Sequence, residues 1–148
     1  MNRHRTQRRR GNALIEFALA FSLAFLLMAG TFQFGYAFFV YNQLQNAVRS
    51  GARYAALRSY DSSTATPSAA FLTAVQNMTV YGAPEGGSKP VVSGLSPDAV
   101  GVQVTFSDGV PSVMRVAVNS FETSVVVATM RWTGKPASSF RYQGRFAP

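Results

Sequence analysis

The residue types that carry most enzyme chemistry are nearly absent from this chain. Its 148 residues include no cysteine and one histidine, His4. That histidine stands in a basic leader, so no serine–histidine or cysteine–histidine nucleophile and no ordinary zinc set can be assembled beyond it. Five of the six acids, Asp61, Glu85, Asp98, Asp108 and Glu122, are scattered without a spacing that a helix or strand would converge, and no Asp-x-Asp calcium loop occurs. An enzyme is not expected, and neither is a cofactor or metal site. The sixth acid is different. Glu16 stands at the mouth of a run that holds no other charge from Phe17 to Val48. A carboxylate at the centre of a bilayer costs about 2.5–3.5 kcal/mol, whereas one at its edge can sit among headgroups; that permits Glu16 without explaining it. Cutting the bond after Gly11 would explain it. Asn12 would then carry a positive α-amine, and Glu16 would be the fifth residue of the shortened chain. Where such helices pack side by side out of the bilayer, the amine of one copy could pair with Glu16 of its neighbour, and removing either partner would leave a buried unpaired charge.

The element that positions Glu16 is a membrane span. Phe17 to Gly35 is almost wholly Ala, Leu, Phe, Met and Gly, and its nineteen residues extend about 28 Å as a helix, close to the roughly 30 Å hydrocarbon core. A soluble core helix would show a polar face each turn, for which Ser22 and Thr31 are too few. The formal charge is +8, with 14 Lys and Arg against 6 Asp and Glu. Five arginines (Arg3, Arg5, Arg8, Arg9, Arg10) lie in residues 1–11, and they favour an amino terminus that stays in the cytoplasm while the rest of the chain is exported. From Ser59 onward five acids meet six bases, so the folded part is nearly neutral and a nucleic-acid partner is not expected. A cleavable secretory signal ending at Gly35-Tyr36-Ala37 competes with the anchor, but the apolar run is long for a signal and flows straight into helix-patterned sequence.

That pattern continues to about Arg58. Leu44, Val48, Ala52 and Ala55 recur at four and three residues, and Arg49 and Arg53 stand one turn apart on a neighbouring face. Like charges at that spacing repel by a few tenths of a kcal/mol, so the pair calls for lipid phosphates or acids on a neighbouring subunit, unless it is simply a solvated face. Ala47, Gly51, Ala52, Ala55 and Ala56 form a small-residue surface on which the exported domain should lie. A turn-rich break over residues 59–68 precedes a short helix expected from Pro67 to about Thr79, and "YGAPEGGSKP" after it is a loop in which Ser88-Lys89 leads into Pro90, unlike a phosphate-binding loop. Val100 to Phe106 and Met114 to Val118 alternate as two strands of an antiparallel hairpin around "SDGVP", with a third strand expected over Ser124 to Trp132. The fold class is α+β. A leader spans residues 1–11 and one helix spans 12–58, membrane-spanning over about 17–35 and a stalk over 36–58. A small antiparallel sheet domain with a short helix occupies 59–148.

Gly11, four residues, Glu16 and an apolar span after an Arg-rich leader resemble the processing site of type IV prepilins. The stretch "FGYAFFVYNQLQNAVRSGARYAA" narrows the resemblance to the TadE-like family of tight-adherence (Flp-type) pilus proteins through Phe34, Gly35, Tyr41, Leu44, Ala47, Arg49, Gly51, Ala52 and Arg53. Many members carry an acid before the Phe-Gly, where this chain has Gln33. The resemblance implies a minor pilin-like protein of the bacterial inner membrane, with its carboxy-terminal domain periplasmic or extracellular. It implies cleavage by a prepilin peptidase between Gly11 and Asn12, Glu16 as the assembly carboxylate, and a stalk that packs and interacts through Arg49, Gly51, Ala52 and Arg53. Its partners would be the bilayer, the peptidase, the major and other minor pilins, and the assembly machinery. The alternative is an uncleaved, single-pass scaffold or binding protein. The tail "SSFRYQGRFAP" matches nothing in that family pattern.

Overall fold

The computed structural model describes residues 4–125 and 128–148, with side chains described for residues 12–124 and 129–148; the side chains of the expected leader, residues 1–11, and its first three residues lie outside these. One α-helix, α1, runs from His4 to Leu57, about 80 Å at 1.5 Å per residue. It contains no proline, and its glycines at 30 and 35 meet no other atom that would force a bend. Below Leu44 its only buried residues, among those described, are Gln33, Ala37 and Val40, while the large apolar side chains from Leu14 to Phe39 are exposed all round it. Above, Leu44, Ala47, Val48, Gly51, Ala52, Ala55 and Ala56 are buried. The buried positions thus advance by fours and threes from 33 to 56, the spacing of one helical face. The small-residue surface expected at Ala47 to Ala56 is where the rest of the chain packs.

The short helix, α2, spans Ala69–Tyr81, two residues later at both ends than its apolar spacing suggested. The Ser68 hydroxyl accepts the Phe71 amide at 3.1 Å and donates to Asp61, so Ser68 is the cap and Pro67 stays outside the helix. At the other end Gly82 adopts φ +75° and its amide reaches Met78 O, a stop that only a residue without Cβ makes cheaply.

Five strands follow: β1 (Val100–Ser107), β2 (Val110–Val118), β3 (Phe121–Val125), β4 (Ala128–Trp132) and β5 (Ala137–Arg141). β1 and β2 form the expected antiparallel hairpin, turning through Asp108 (φ 53°) and Gly109 (φ 75°), the positive-φ pair that suits a two-residue turn. β2 begins four residues earlier than expected, because Pro111, which has no amide to donate, is accommodated at the irregularity opposite Phe106. The expected third strand is corrected. Phe121–Val125 and Ala128–Trp132 pair with each other as a separate hairpin, and the third strand of the main sheet, in the order β1-β2-β5, is β5 from the unassigned tail. The inner face of that sheet (Val100, Val104, Met114, Val116, Val118) is buried with the α1 stripe and with Phe71 and Val75 of α2. Gln103, Arg115 and Ser139 stand side by side on its exposed outer face. α1 lies against β2 and β5, and α2 against α1 and β1, so the two helices cover one face of the sheet as an α+β layer pair.

Candidate functional site

The lower part of α1 presents Glu16 among Leu14, Ile15 and Phe17, all exposed. Glu16 forms no ion pair with a described side chain; the one among the described residues joins Glu122 to Arg131. Gly11 and Asn12 both lie within α1, so the bond between them is helical. As a glycine, Gly11 is about 1 kcal/mol poorer than alanine in a helix interior. Above, the serines and threonines of the apolar run are silent: Ser22 and Thr31 each donate back to the carbonyl four residues earlier, Ala18 and Leu27, which satisfies their hydroxyls without a partner helix.

The four stalk residues divide between two faces. Ala52 is fully buried, and Gly51 faces α2 so closely that a Cβ there would stand 1.9 Å from Thr79 Oγ1. Arg49 and Arg53 lie on the opposite, exposed side, one turn apart, with no carboxylate paired to either among the described residues. Gly51 and Ala52 therefore hold the domain to the helix, whereas the two guanidinium groups are presented outward.

Residues 11–53 match the family model of TadE-like protein. Over that stretch the chain is TadE-like. No curated protein and no solved structure matches the chain. The TadE-like segment is 43 of the 148 residues and lies entirely within α1. It contains Gly11, Asn12, Glu16, Gln33, Arg49, Gly51, Ala52 and Arg53, and it ends before the residues that close the domain over the helix.

Sequence reasoning missed what happens just past the TadE-like segment. The Tyr142 hydroxyl lies between the carbonyls of Arg58 (3.1 Å) and Arg145 (2.7 Å) and accepts the Tyr60 amide at 3.0 Å. Gln143 donates its amide to Ala56 O, Tyr60 to Arg145 O, and Ala147 to Tyr60 O. Among the last carbonyls of α1, which have no partner within the helix, that of Ala56 is thus satisfied by Gln143, and the carbonyls of Arg58 and Tyr60 just past the helix accept from Tyr142 and Ala147. Gly144 permits the approach, since a Cβ there would meet Arg58 O at 2.3 Å. Around this seam the fully buried Tyr60 ring packs against Phe71, Phe106, Tyr142 and Phe146 at centroid distances of 5.1–6.5 Å. Burial raises the pKa of both Tyr60 and Tyr142 above the ordinary tyrosine value. The signal in "FRYQGRF" was the placing of Phe140, Tyr142 and Phe146 at alternate positions, with Gly144 in the place of a fourth side chain.

Proposed function

We propose that this protein is a minor pilin-like subunit needed for assembly of a tight-adherence pilus, held in the bacterial inner membrane by α1 before incorporation. The observation that carries the reading is a helix whose apolar lower half is exposed on every side and bears a single carboxylate, inside a TadE-like match that begins at Gly11. An exposed apolar surface of that size has to be covered by lipid or by other apolar helices. The Arg-rich leader orients the helix with its amino terminus in the cytoplasm and its domain outside. A prepilin peptidase cuts between Gly11 and Asn12, and the new α-amine pairs with Glu16 of an adjacent subunit, fixing axial register. Arg49 and Arg53 face acids of neighbouring pilins. They stand about 15 Å or more above Phe39, beyond the headgroup layer of roughly 5–7 Å, so lipid phosphates are the poorer partner. The protein acts as a structural component.

A second reading, an uncleaved periplasmic scaffold, is favoured by the continuity of α1 through Gly11. The intact mass of the protein from its native host separates the two. A chain beginning at Asn12 supports the pilin reading, and a retained leader in cells that still form pili overturns it.

A further inference from the structure

We propose that the β3–β4 hairpin rests on the outer leaflet beside α1, giving the domain a second contact with the same bilayer; the inference builds on the reading of α1 as a membrane span. The levels follow from the packing. Phe106, at the upper end of β1, packs on Tyr60 just past the end of α1. Six residues lower, Val100 pairs with Val118, about 20 Å along the strand, which for a strand running along α1 corresponds to about 13 helical residues. The lower end of the sheet is therefore level with the Leu44–Ala47 turn of α1. β3 begins three residues further on, touches α1, and brings Phe121 into the core that includes Val40. Its remaining length of about 13 Å reaches down a further nine or so helical residues. That is the level of Gln33, Ala37 and Val40, which are buried where every large apolar neighbour on α1 is exposed. A span starting at Phe17 leaves the hydrocarbon at about residue 36, so the hairpin ends at the boundary between acyl chains and headgroups.

The composition of the hairpin follows the same gradient. Its one charged rung, Glu122 opposite Arg131, is an ion pair near the base, and one exposed rung lower Ser124 and Thr129 share a hydroxyl hydrogen bond. Depth is limited by the backbone. A two-stranded ribbon has open edges, whose amides and carbonyls go unsatisfied in hydrocarbon but not among headgroups. The contact is therefore interfacial, level with the exposed aromatic residues Phe34, Tyr36, Phe38 and Phe39 of α1.

The chain has one tryptophan, Trp132, so a Trp132→Phe background carries a reporter wherever one is placed. The full-length protein is reconstituted in phosphatidylcholine vesicles brominated either near the headgroup or near the acyl terminus. Thr129→Trp and, separately, Ser124→Trp are expected to lose most of their emission to the shallow bromines and little to the deep ones, whereas Ser107→Trp, at the far end of β1, keeps its emission in both. Phe25→Trp, within the span, is expected to be quenched by the deep bromines. Emission from both hairpin positions that matches Ser107→Trp while Phe25→Trp is quenched overturns the hairpin contact alone. Loss of quenching at Phe25→Trp overturns the membrane reading and the hairpin contact with it.

Discussion

Replacing Gly51 with alanine tests whether the domain is held to α1 by close helix contact. Taken alone, α1 would gain about 1 kcal/mol of helix preference. The packing opposes this. The new Cβ would lie 1.9 Å from Thr79 Oγ1 and 3.1 Å from Thr79 Cβ, so the hydroxyl must move by more than 1 Å. It is pinned, because Thr79 is fully buried and its Oγ1 donates to Val75 O at 2.8 Å. If the side chain rotates, a buried hydroxyl is left without its acceptor, at about 1–3 kcal/mol; if the helices separate, the overpacked contact costs about 1–3 kcal/mol. Subtracting the helix gain leaves Gly51→Ala destabilising by up to about 2 kcal/mol, and by more where both penalties apply. Thr79→Ala removes the obstructing oxygen, so in the double variant only the Cβ contact near 3.1 Å remains, and a shift of a few tenths of an ångström relieves it. A double-mutant cycle should give a favourable coupling of at least about 1 kcal/mol between the two alanines. The assay is urea unfolding of the full chain in detergent micelles, followed by Trp132 emission, since that ring packs on Phe121 at 5.8 Å within the domain. A Gly51→Ala protein as stable as the parent, with no coupling to Thr79→Ala, would refute the argument.

Other outcomes are expected on the same physical grounds. Glu16→Gln should insert and fold normally yet fail to assemble, read as normal membrane fractionation without pili by electron microscopy; normal piliation would remove the charge-pairing role. Bulky substitutions at Gly11 should accumulate the longer precursor by mass spectrometry. Tyr142→Phe removes a hydroxyl that serves the Tyr60 amide and a carbonyl, and should cost about 1–3 kcal/mol by the same urea assay. The domain should also weaken in alkali. Because burial raises the pKa of Tyr60 and Tyr142, the folded state holds those protons more tightly than the unfolded one. Their contribution is therefore complete below the unfolded value of about 10 and is lost as pH rises above it, and urea midpoints measured across that range should fall.

The helix and its inward face were legible because both rest on one-dimensional spacing: an uncharged run long enough to span, then small residues at fours and threes. The β1–β2 hairpin was legible because Asp108-Gly109 is a local turn signal between alternating strands. What was not legible depends on contacts distant in the chain. β5 reads Ala-Ser-Ser-Phe-Arg, without the valines that mark β1 and β2, and becomes a strand only because β2 offers it an edge. Ser124 to Trp132 looked like one strand because its tendency to form strand does not reveal that it folds back on Phe121 to Val125. Gly51 was visible as a small residue, but the identity of its neighbour, Thr79, was not. Glu16 was conspicuous in sequence for its isolation, and it stays exposed and without a described partner in the folded chain.

The seam at Tyr142 has a bearing on the order in which the domain can be completed. Tyr60 and Tyr142 are 82 positions apart, and β5 with the residues after it supplies both an outer strand of the sheet and the hydrogen bonds that finish α1. On the proposed topology, while residues 137–147 are still crossing the membrane, β2 lacks its second neighbour and Ala56 O at the end of α1 lacks its donor. The domain can therefore close only once translocation has delivered that segment. Until then the incomplete chain presents a strand with one open edge and an uncovered aromatic cluster, the features that a chaperone would hold.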